Sequence, residues 1–354
     1  MAKRSFVWVS EIDPLHASGG GEQIQRRVIR ALEEEGHHVD VYTTQSYIGR
    51  LYRSGYDVVV LADVWNEPGI GGREKLPKKE LLHLIRHARY ITWDCGYSTV
   101  CGKDYLPCCG RWHVCGRCEA KVDRDVLHEF YGRAMLNVFL SPLQARTIRR
   151  LVRLPCWQPY CYFPAVDSLW LEDNDPVPRD LGLAYVGVVC AAKGAGLLLR
   201  AARWLESGGS QCHARYRRLV GALKSGPVRV YGVSRDVSLP WPPSRAVPPR
   251  DLRAALLRHK FVFAMPLWPE PFGLYAAEAS LAGAKLLFND RVGALSYKLD
   301  LSCKELYEWS LRTLCQALAD LPGTHISYRW LSWWRRARQI APNMELSSSD
   351  MAVY

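Results

Sequence analysis

Short runs of β-branched and aromatic residues alternate with helical stretches along the whole chain. These runs are apolar on both faces, as strands buried in a parallel sheet are. We predict strands at residues 6–10, 39–44, 58–62, 90–94 and 137–141, and again at 183–189, 228–232, 261–265 and 285–289. Strands that alternate with helices indicate the α/β class, with doubly wound parallel sheets.

The length of 354 residues predicts two domains, because a single core rarely grows that large. The stretch Pro-Tyr-Cys-Tyr-Phe-Pro at 159–164 cannot be helical and marks the junction. We therefore predict a first domain at 1–167, a second at 168–324, and a C-terminal segment at 325–354 that returns to the first domain and ends in a disordered tail.

The composition is that of a globular protein, with 48% hydrophobic residues and a formal net charge of +12. The apolar runs are too short for a membrane-spanning helix or a secretory signal, so we expect a cytoplasmic protein. The cationic excess suits an anionic ligand, an anionic acceptor or a membrane surface, and leaves nucleic acid open as a partner.

The most specific local pattern lies at residues 261–283. A strand is followed by a Pro-rich loop that contains Glu270, and Gly273 then opens an Ala-rich helix that carries Glu278 on its second turn. Ligands of open α/β sheets bind outside the carboxyl ends of the strands, where a helix N-terminus offers free N–H groups to phosphate. Two carboxylates there can accept hydrogen bonds from sugar hydroxyls. The alternative is an ordinary helix with two solvated glutamates.

Glu270 and Glu278, with Pro-Phe-Gly between them and Ala-Gly after, resemble the E-x7-E signature of the large retaining group of GT-B glycosyltransferases. The resemblance implies two Rossmann-like domains facing across a cleft and a nucleotide-sugar donor held mainly by the second. It assigns Glu278 to the nucleotide ribose and Glu270 to donor-sugar hydroxyls. The backbone expected to face the diphosphate is that of Phe272, Gly273 and Leu274.

The segment 184–194 resembles the same family's strand, phosphate-binding loop and lysine. By that resemblance Lys193 is a point charge on the donor diphosphate, with no catalytic metal required. Val188 stands where the family usually has an arginine, so phosphate binding is expected to be weaker or shared with another residue. Taken alone, Lys193 and its glycine also fit a surface turn.

The three glycines at 19–21 join the first strand to a helix and resemble the family's N-terminal Gly-rich loop. We therefore predict that Gly20 and Gly21 approach the donor closely. Trp93 stands where the family commonly has a histidine that contacts the donor sugar. This departure bears on the activity or on the identity of the sugar.

Six cysteines crowd between residues 95 and 118, an insertion comparable to one in some members of the group. A C-x2-C turn with an upstream pair suits a structural zinc ion. The ligands that we predict are Cys101, Cys109, Cys115 and Cys118, with Cys108 or His113 as replacements. An iron–sulfur cluster, disulfides and reduced thiols are the alternatives.

Two cationic surfaces suggest a partner. Arginines at i, i+3, i+4 and i+7 line one helix face, and tryptophans meet arginines near the C-terminus. Both suit anionic headgroups and a lipid-linked acceptor. The alternatives are a solvated face for the arginines and a helix packed back across the first domain for the tryptophans, which is the favoured interpretation for Trp330. The residues are Arg146, Arg149, Arg150 and Arg153, then Trp330, Trp333, Trp334, Arg335, Arg336 and Arg338.

Together these features predict a retaining glycosyltransferase that moves a sugar from a nucleotide-sugar to a glycan or lipid-linked acceptor. Two rivals remain. The basic charge permits a glycosyltransferase that acts on nucleic acid. Val188 and Trp93 permit a binding protein that has lost catalysis.

Overall fold

The computed structural model describes residues 3–17, 19–47, 56–64, 77–101, 107, 111–114, 124–153, 159–207, 217–244, 247–321 and 335–342. These residues form two compact units. Unit 1 contains residues up to Ala165 together with Glu305–Ile340, and unit 2 contains Val166–Lys304 and the residues that follow position 340. No helix among the described residues is both long enough and apolar enough to cross a membrane.

Unit 1 contains a parallel sheet with the strand order β2-β1-β3-β4-β5-β6. The strands are β1 (Ser5–Ser10), β2 (His38–Thr43), β3 (Val58–Ala62), β4 (Tyr90–Asp94), β5 (Leu136–Phe139) and β6 (Pro159–Cys161). The helices are α1 (Gly20–Glu34), α2 (Thr44–Tyr47), α3 (Lys78–His87), α4 (Arg124–Gly132) and α5 (Pro142–Val152). The central strands β3 and β4 are buried along their whole length, which explains their continuous apolar sequences.

The helices α1, α3, α4 and α5 of unit 1 each bury one apolar face. In α1 this face is formed by Ile24, Val28, Ile29 and Leu32, all at most 2% exposed. α5 begins where the Ser141 hydroxyl accepts a hydrogen bond from the Gln144 N–H, and its N-terminal proline needs no such partner.

Unit 2 contains a second parallel sheet with the strand order β11-β10-β7-β8-β9. The strands are β7 (Leu181–Val186), β8 (Arg229–Tyr231), β9 (Pro243–Ser244), β10 (His259–Ala264) and β11 (Lys285–Phe288). The helices are α6 (Ser168–Leu171), α7 (Ala195–Glu206), α8 (Arg217–Lys224), α9 (Pro249–Arg258), α10 (Leu274–Leu281) and a 3-10 helix at Gly293–Tyr297.

The α/β class with doubly wound parallel sheets is confirmed, and every predicted strand overlaps an observed one. The sequence assigned residues 168–324 to the second domain. In the structure, the helix α11 (Lys304–Ala319) belongs to unit 1 from Glu305 onward. There the Tyr307 ring packs 5.0 Å from the Phe163 ring, and the Arg4 side chain donates to the Ala319 carbonyl oxygen.

Candidate functional site

The second sheet has a topological switch point between β7 and β10. From β7 the chain moves to β8 and β9 on one side, and then returns to place β10 and β11 on the other side. The loops that follow β7 and β10 therefore leave the sheet in opposite directions. In open α/β sheets, this opening at the carboxyl ends of the strands is where ligands bind.

The first loop at the switch point, residues 187–194, is named here the lysine turn. Its last residue, Gly194, has a left-handed backbone with φ +78° and starts α7. A Cβ atom at Gly194 would clash with the carbonyl oxygen of Met265, so only glycine lets the turn approach β10 this closely. The Lys193 N–H donates to the Cys190 carbonyl oxygen over 3.2 Å, which tightens the turn.

The second loop, residues 265–273, is named here the glutamate loop. The N–H groups of Leu267 and Trp268 donate to the Ala192 carbonyl oxygen over 2.8 and 3.0 Å, so this loop is tied directly to the lysine turn. On its other side, the Glu270 N–H donates to the Arg291 carbonyl oxygen over 2.8 Å. These backbone hydrogen bonds determine where Glu270 lies.

Lys193 and Glu270 meet at the switch point. The Lys193 Nζ lies 3.1 Å from the Glu270 Oε1, with the two side chains 24% and 6% exposed. Oε1 is buried and takes no well-aligned hydrogen bond from the described residues, so the ion pair is what compensates its charge. The same ammonium lies 5.3 Å from the centre of the Tyr275 ring. Desolvation, and then the nearby Glu270 carboxylate, raise the pKa of the Tyr275 hydroxyl well above its usual value.

The glutamate loop ends at the N-terminus of α10. Gly273 has φ +83°, a conformation that favours glycine, and no side chain caps the helix. The Phe272 side chain is 2% exposed and its carbonyl oxygen accepts from the Ala294 N–H over 2.7 Å. Phe272 is therefore held in the core of unit 2, and Gly273 and Leu274 form the uncapped helix start. These first N–H groups have no carbonyl one turn earlier to bind.

Glu278 lies on the second turn of α10 and is 9% exposed. Side chains on a helix tilt toward its N-terminus, so that of Glu278 leans toward the glutamate loop. Both glutamates of the motif are thus buried in unit 2, which rules out the alternative of two solvated glutamates.

Gly20 and Gly21, predicted to lie in a Gly-rich loop, are the first two residues of α1 and have different surroundings. A Cβ atom on Gly20 would meet nothing within 4 Å, whereas one on Gly21 would lie 2.8 Å from the Cys95 Cβ. The Cys95 thiol also accepts a hydrogen bond from the Gln25 amide over 3.2 Å. Gly21 therefore has a packing role against the residue that follows β4. The sequence alone suggested only close approach to a ligand.

Trp93 belongs to the core of unit 1. It is 1% exposed, and its ring lies 5.1 Å from that of Trp8 and 5.8 Å from that of Tyr162. The carboxylate of the next residue, Asp94, accepts hydrogen bonds from the hydroxyls of Thr99 and Tyr131, each over 2.9 Å. A large indole thus takes up core volume at the position where the family places a sugar-contacting histidine.

Of the predicted zinc ligands, the structure describes Cys101, which is buried. The replacement candidate His113 is also described. Cys108, Cys109, Cys115 and Cys118 lie outside the described residues. In the part of the chain that is described, no group of three or more His, Cys, Asp or Glu residues could hold a metal ion.

The arginines of α5 and its C-cap, Arg146, Arg149, Arg150 and Arg153, are all exposed, as the helical spacing predicts. Arg335, Arg336 and Arg338 are also exposed. Trp330, Trp333 and Trp334 lie outside the described residues.

The sequence reasoning overlooked Asp236 in the loop after β8. Its carboxylate accepts a hydrogen bond from the Ala191 N–H over 3.0 Å and thereby holds the lysine turn. The neighbouring residue Arg235 is exposed at the same edge of the sheet. An aspartate next to an arginine in a Gly- and Ser-containing loop carries no specific sequence signal, because its relevance depends on which loop lies beside it.

Comparisons with known proteins find similarity in three dimensions only. No protein-family model and no curated protein sequence matches the chain. Among solved structures, OtsA in its apo form matches with a TM-score of 0.50 at 9% identity, over 96% of this chain and 95% of the other. WaaG, a glycosyltransferase involved in lipopolysaccharide biosynthesis, matches with 0.49 at 14% identity, over 98% and 97%. Alr3699/HepE of Anabaena, in complex with UDP, matches with 0.48 at 12% identity, over 94% and 95%.

The match to OtsA spans nearly the whole of both chains, so it covers both units and not one Rossmann-like unit alone. The chain is thus an α/β protein of two Rossmann-like units, the architecture of GT-B proteins.

Proposed function

We propose that the protein is a retaining glycosyltransferase that uses a nucleotide-sugar donor. The observation that carries the proposal is the contact between Lys193 and Glu270 at the switch point of the second sheet. A cation and a buried carboxylate side by side are what a donor with an anionic diphosphate next to a neutral, hydroxyl-rich sugar requires.

The anionic and the neutral parts of the donor would bind different groups of the protein. The diphosphate would contact Lys193 and the uncapped N-terminus of α10, where Gly273 and Leu274 offer N–H groups. The sugar hydroxyls would donate to Glu270, and the ribose hydroxyls to Glu278. The Oε1 atom of Glu270 accepts no well-aligned hydrogen bond from the described residues, so it has lone pairs left for a sugar hydroxyl.

In the reaction that we propose, the bond between the anomeric carbon and the diphosphate oxygen breaks and the diphosphate leaves with the electron pair. The acceptor hydroxyl oxygen forms the new bond on the same face of the sugar, and its proton passes to the departing phosphate oxygen. Lys193 stabilises the negative charge that grows on the diphosphate, so no catalytic metal is needed. Activity that survives a metal chelator would support this mechanism, and a strict need for a divalent cation would contradict it.

We propose a glycan or a lipid-linked molecule as the acceptor, and the exposed arginines of α5 as a surface that attracts anionic lipid. Liposome flotation tests the membrane contact. Replacing Arg146, Arg149 and Arg150 with glutamine should reduce binding to anionic vesicles, while neutral vesicles should bind neither form. Equal flotation of both forms, or none at all, would contradict the membrane contact.

The structural zinc remains a proposal. Emission spectroscopy of the purified protein should find about one zinc per chain, and serine at Cys115 or Cys118 should remove it. A folded protein free of zinc and iron would contradict the proposal, and iron in place of zinc would favour the cluster.

The donor site is tested by binding and by turnover. A panel of nucleoside diphosphates and their sugar conjugates is screened by thermal shift, and the best conjugate is then assayed for transfer and hydrolysis. We expect Lys193→Ala and Glu270→Gln to reduce turnover at least tenfold. The matched controls Lys224→Ala and Glu206→Gln, exposed in the same unit, should leave it unchanged. Wild-type binding without any turnover would instead support a binding protein that has lost catalysis.

A further inference from the structure

The ladder between β7 and β8 continues beyond the ends of both strands. The last pair inside the strands is Val186 and Tyr231. Further along, the Gly187 N–H donates to the Tyr231 carbonyl oxygen and the Val189 N–H to the Val233 carbonyl oxygen, each over 2.8 Å. The residues after β8 therefore lie directly beside the lysine turn.

Arg235 is anchored to the lysine turn by this extension. Its N–H donates to the Val189 carbonyl oxygen over 3.0 Å, and the Asp236 carboxylate binds the Ala191 N–H over the same distance. The backbone of Arg235 is therefore bonded to Val189, the residue that follows Val188. Its side chain is exposed, and no described residue forms an ion pair or a hydrogen bond with its guanidinium.

Two described cations near the switch point, Lys193 and Arg291, already have partners. Val188 leaves an apolar side chain, 37% exposed, at the position where the family has an arginine. Lys193 already shares its charge with Glu270, and the Arg291 guanidinium donates to the carbonyl oxygen of Leu267. A diphosphate carries more than one negative charge, so a second, uncommitted cation within reach of the lysine turn would strengthen its binding.

We propose that Arg235 is this second cation and binds the donor diphosphate in place of the arginine that Val188 replaces. The inference rests on the proposed function and adds a residue to its donor site. A guanidinium offers two parallel N–H donors that match two phosphate oxygens. Asp236 acts as a positioning residue, because its hydrogen bond keeps the loop that carries Arg235 against the turn that carries Lys193.

Isothermal titration calorimetry with the full chain tests the assignment. The probes are the nucleoside diphosphate that binds the wild type most tightly and the corresponding nucleoside without phosphate. Arg235→Ala should weaken diphosphate binding about tenfold to a hundredfold, the effect of losing one charge-assisted hydrogen-bonded contact, and leave nucleoside binding unchanged. The affinity of Arg235→Lys for the diphosphate should lie between that of the wild type and that of Arg235→Ala.

Arg203→Ala is the matched control. Arg203 is exposed on α7, nine residues after Gly194, and therefore about 13 Å along the helix from the lysine turn. This variant should bind like the wild type. Val188→Arg introduced into Arg235→Ala should recover most of the lost affinity, because it returns a guanidinium to the same edge of the sheet.

The possible outcomes distinguish a failure of the Arg235 assignment from a failure of the proposed function on which it rests. If Lys193→Ala weakens diphosphate binding and Arg235→Ala does not, the Arg235 assignment is wrong and the donor site stands. Equal loss of nucleoside and diphosphate binding in Arg235→Ala would also overturn the assignment, because the residue would then not act on phosphate. If the wild type binds no nucleoside diphosphate, the proposed function fails and takes the inference with it.

Discussion

Replacing Lys193 with methionine separates the structural role of the ion pair from its role in binding. Methionine keeps most of the aliphatic length and removes the charge. At a separation of 3.1 Å and an effective dielectric constant near 20, the direct attraction between the two charges is about 5 kcal/mol. Part of this is offset, because the Glu270 side chain is 6% exposed and has lost most of its hydration.

Removing the cation alone leaves that carboxylate buried without compensation. Loss of one partner of a fully buried pair costs about 3–5 kcal/mol, and the partial exposure of Lys193 lowers our expectation to about 2–3 kcal/mol. Glu270→Gln removes the negative charge of the pair and should lower the free energy of unfolding less than Lys193→Met does, because a neutral amide needs no counter-ion. The double variant should recover most of the stability that Lys193→Met loses.

The assay is urea denaturation of the wild type, both single variants and the double variant. The unfolding of residues 181–304 is followed by hydrogen–deuterium exchange, so that unit 1 does not obscure the result. Nucleoside diphosphate binding is measured on the same four proteins. We expect the double variant to be stable and still unable to bind the diphosphate tightly. A Lys193→Met variant as stable as the wild type would refute the compensation argument, and a double variant that binds normally would refute the role of Lys193.

Two further predictions concern stability. Gly21→Ala should lower the free energy of unfolding by about 1–3 kcal/mol, because its Cβ would lie 2.8 Å from the Cys95 Cβ. The control Gly20→Ala should be neutral or slightly stabilising, because its Cβ would meet no other atom within 4 Å. Equal urea midpoints for the two variants would contradict this prediction. His259 is buried beside the Tyr231 hydroxyl, and burial lowers the pKa of its imidazole to about 4 from about 6.5. Between pH 6.5 and pH 4 the imidazole of His259 is therefore protonated in the unfolded chain and neutral in the folded protein. The free energy of unfolding should be highest above pH 6.5 and should fall by at most about 3 kcal/mol toward pH 4. His259→Gln should flatten this dependence, and an unchanged slope of urea midpoint against pH would contradict it.

The central strands of both sheets could be predicted from the sequence because they are buried on both faces and therefore continuously apolar. The edge strands β2 and β11 could be predicted as well, but the edge strands β6 and β9 could not. β6 has three residues and begins with a proline, and β9 has two residues within a Pro-rich loop. Their pairing depends on a neighbouring strand, and so does the strand order, which is what creates the switch point.

The site shows the same limit. The Glu270 motif and Lys193 were recognisable because strand, turn and helix follow one another locally. The contact between Lys193 and Glu270 could not be predicted, because 77 residues separate them and the contact depends on hydrogen bonds between two loops. Arg235 and the packing of Gly21 against Cys95 are likewise consequences of register between distant segments.

A crystal structure of the full chain with the nucleoside diphosphate selected by thermal shift tests the account most directly. We predict that a phosphate oxygen lies within hydrogen-bonding distance of Lys193 Nζ, at the carboxyl ends of β7 and β10. A nucleotide bound at another edge of the sheet, with the ammonium of Lys193 touching only Glu270, would contradict it.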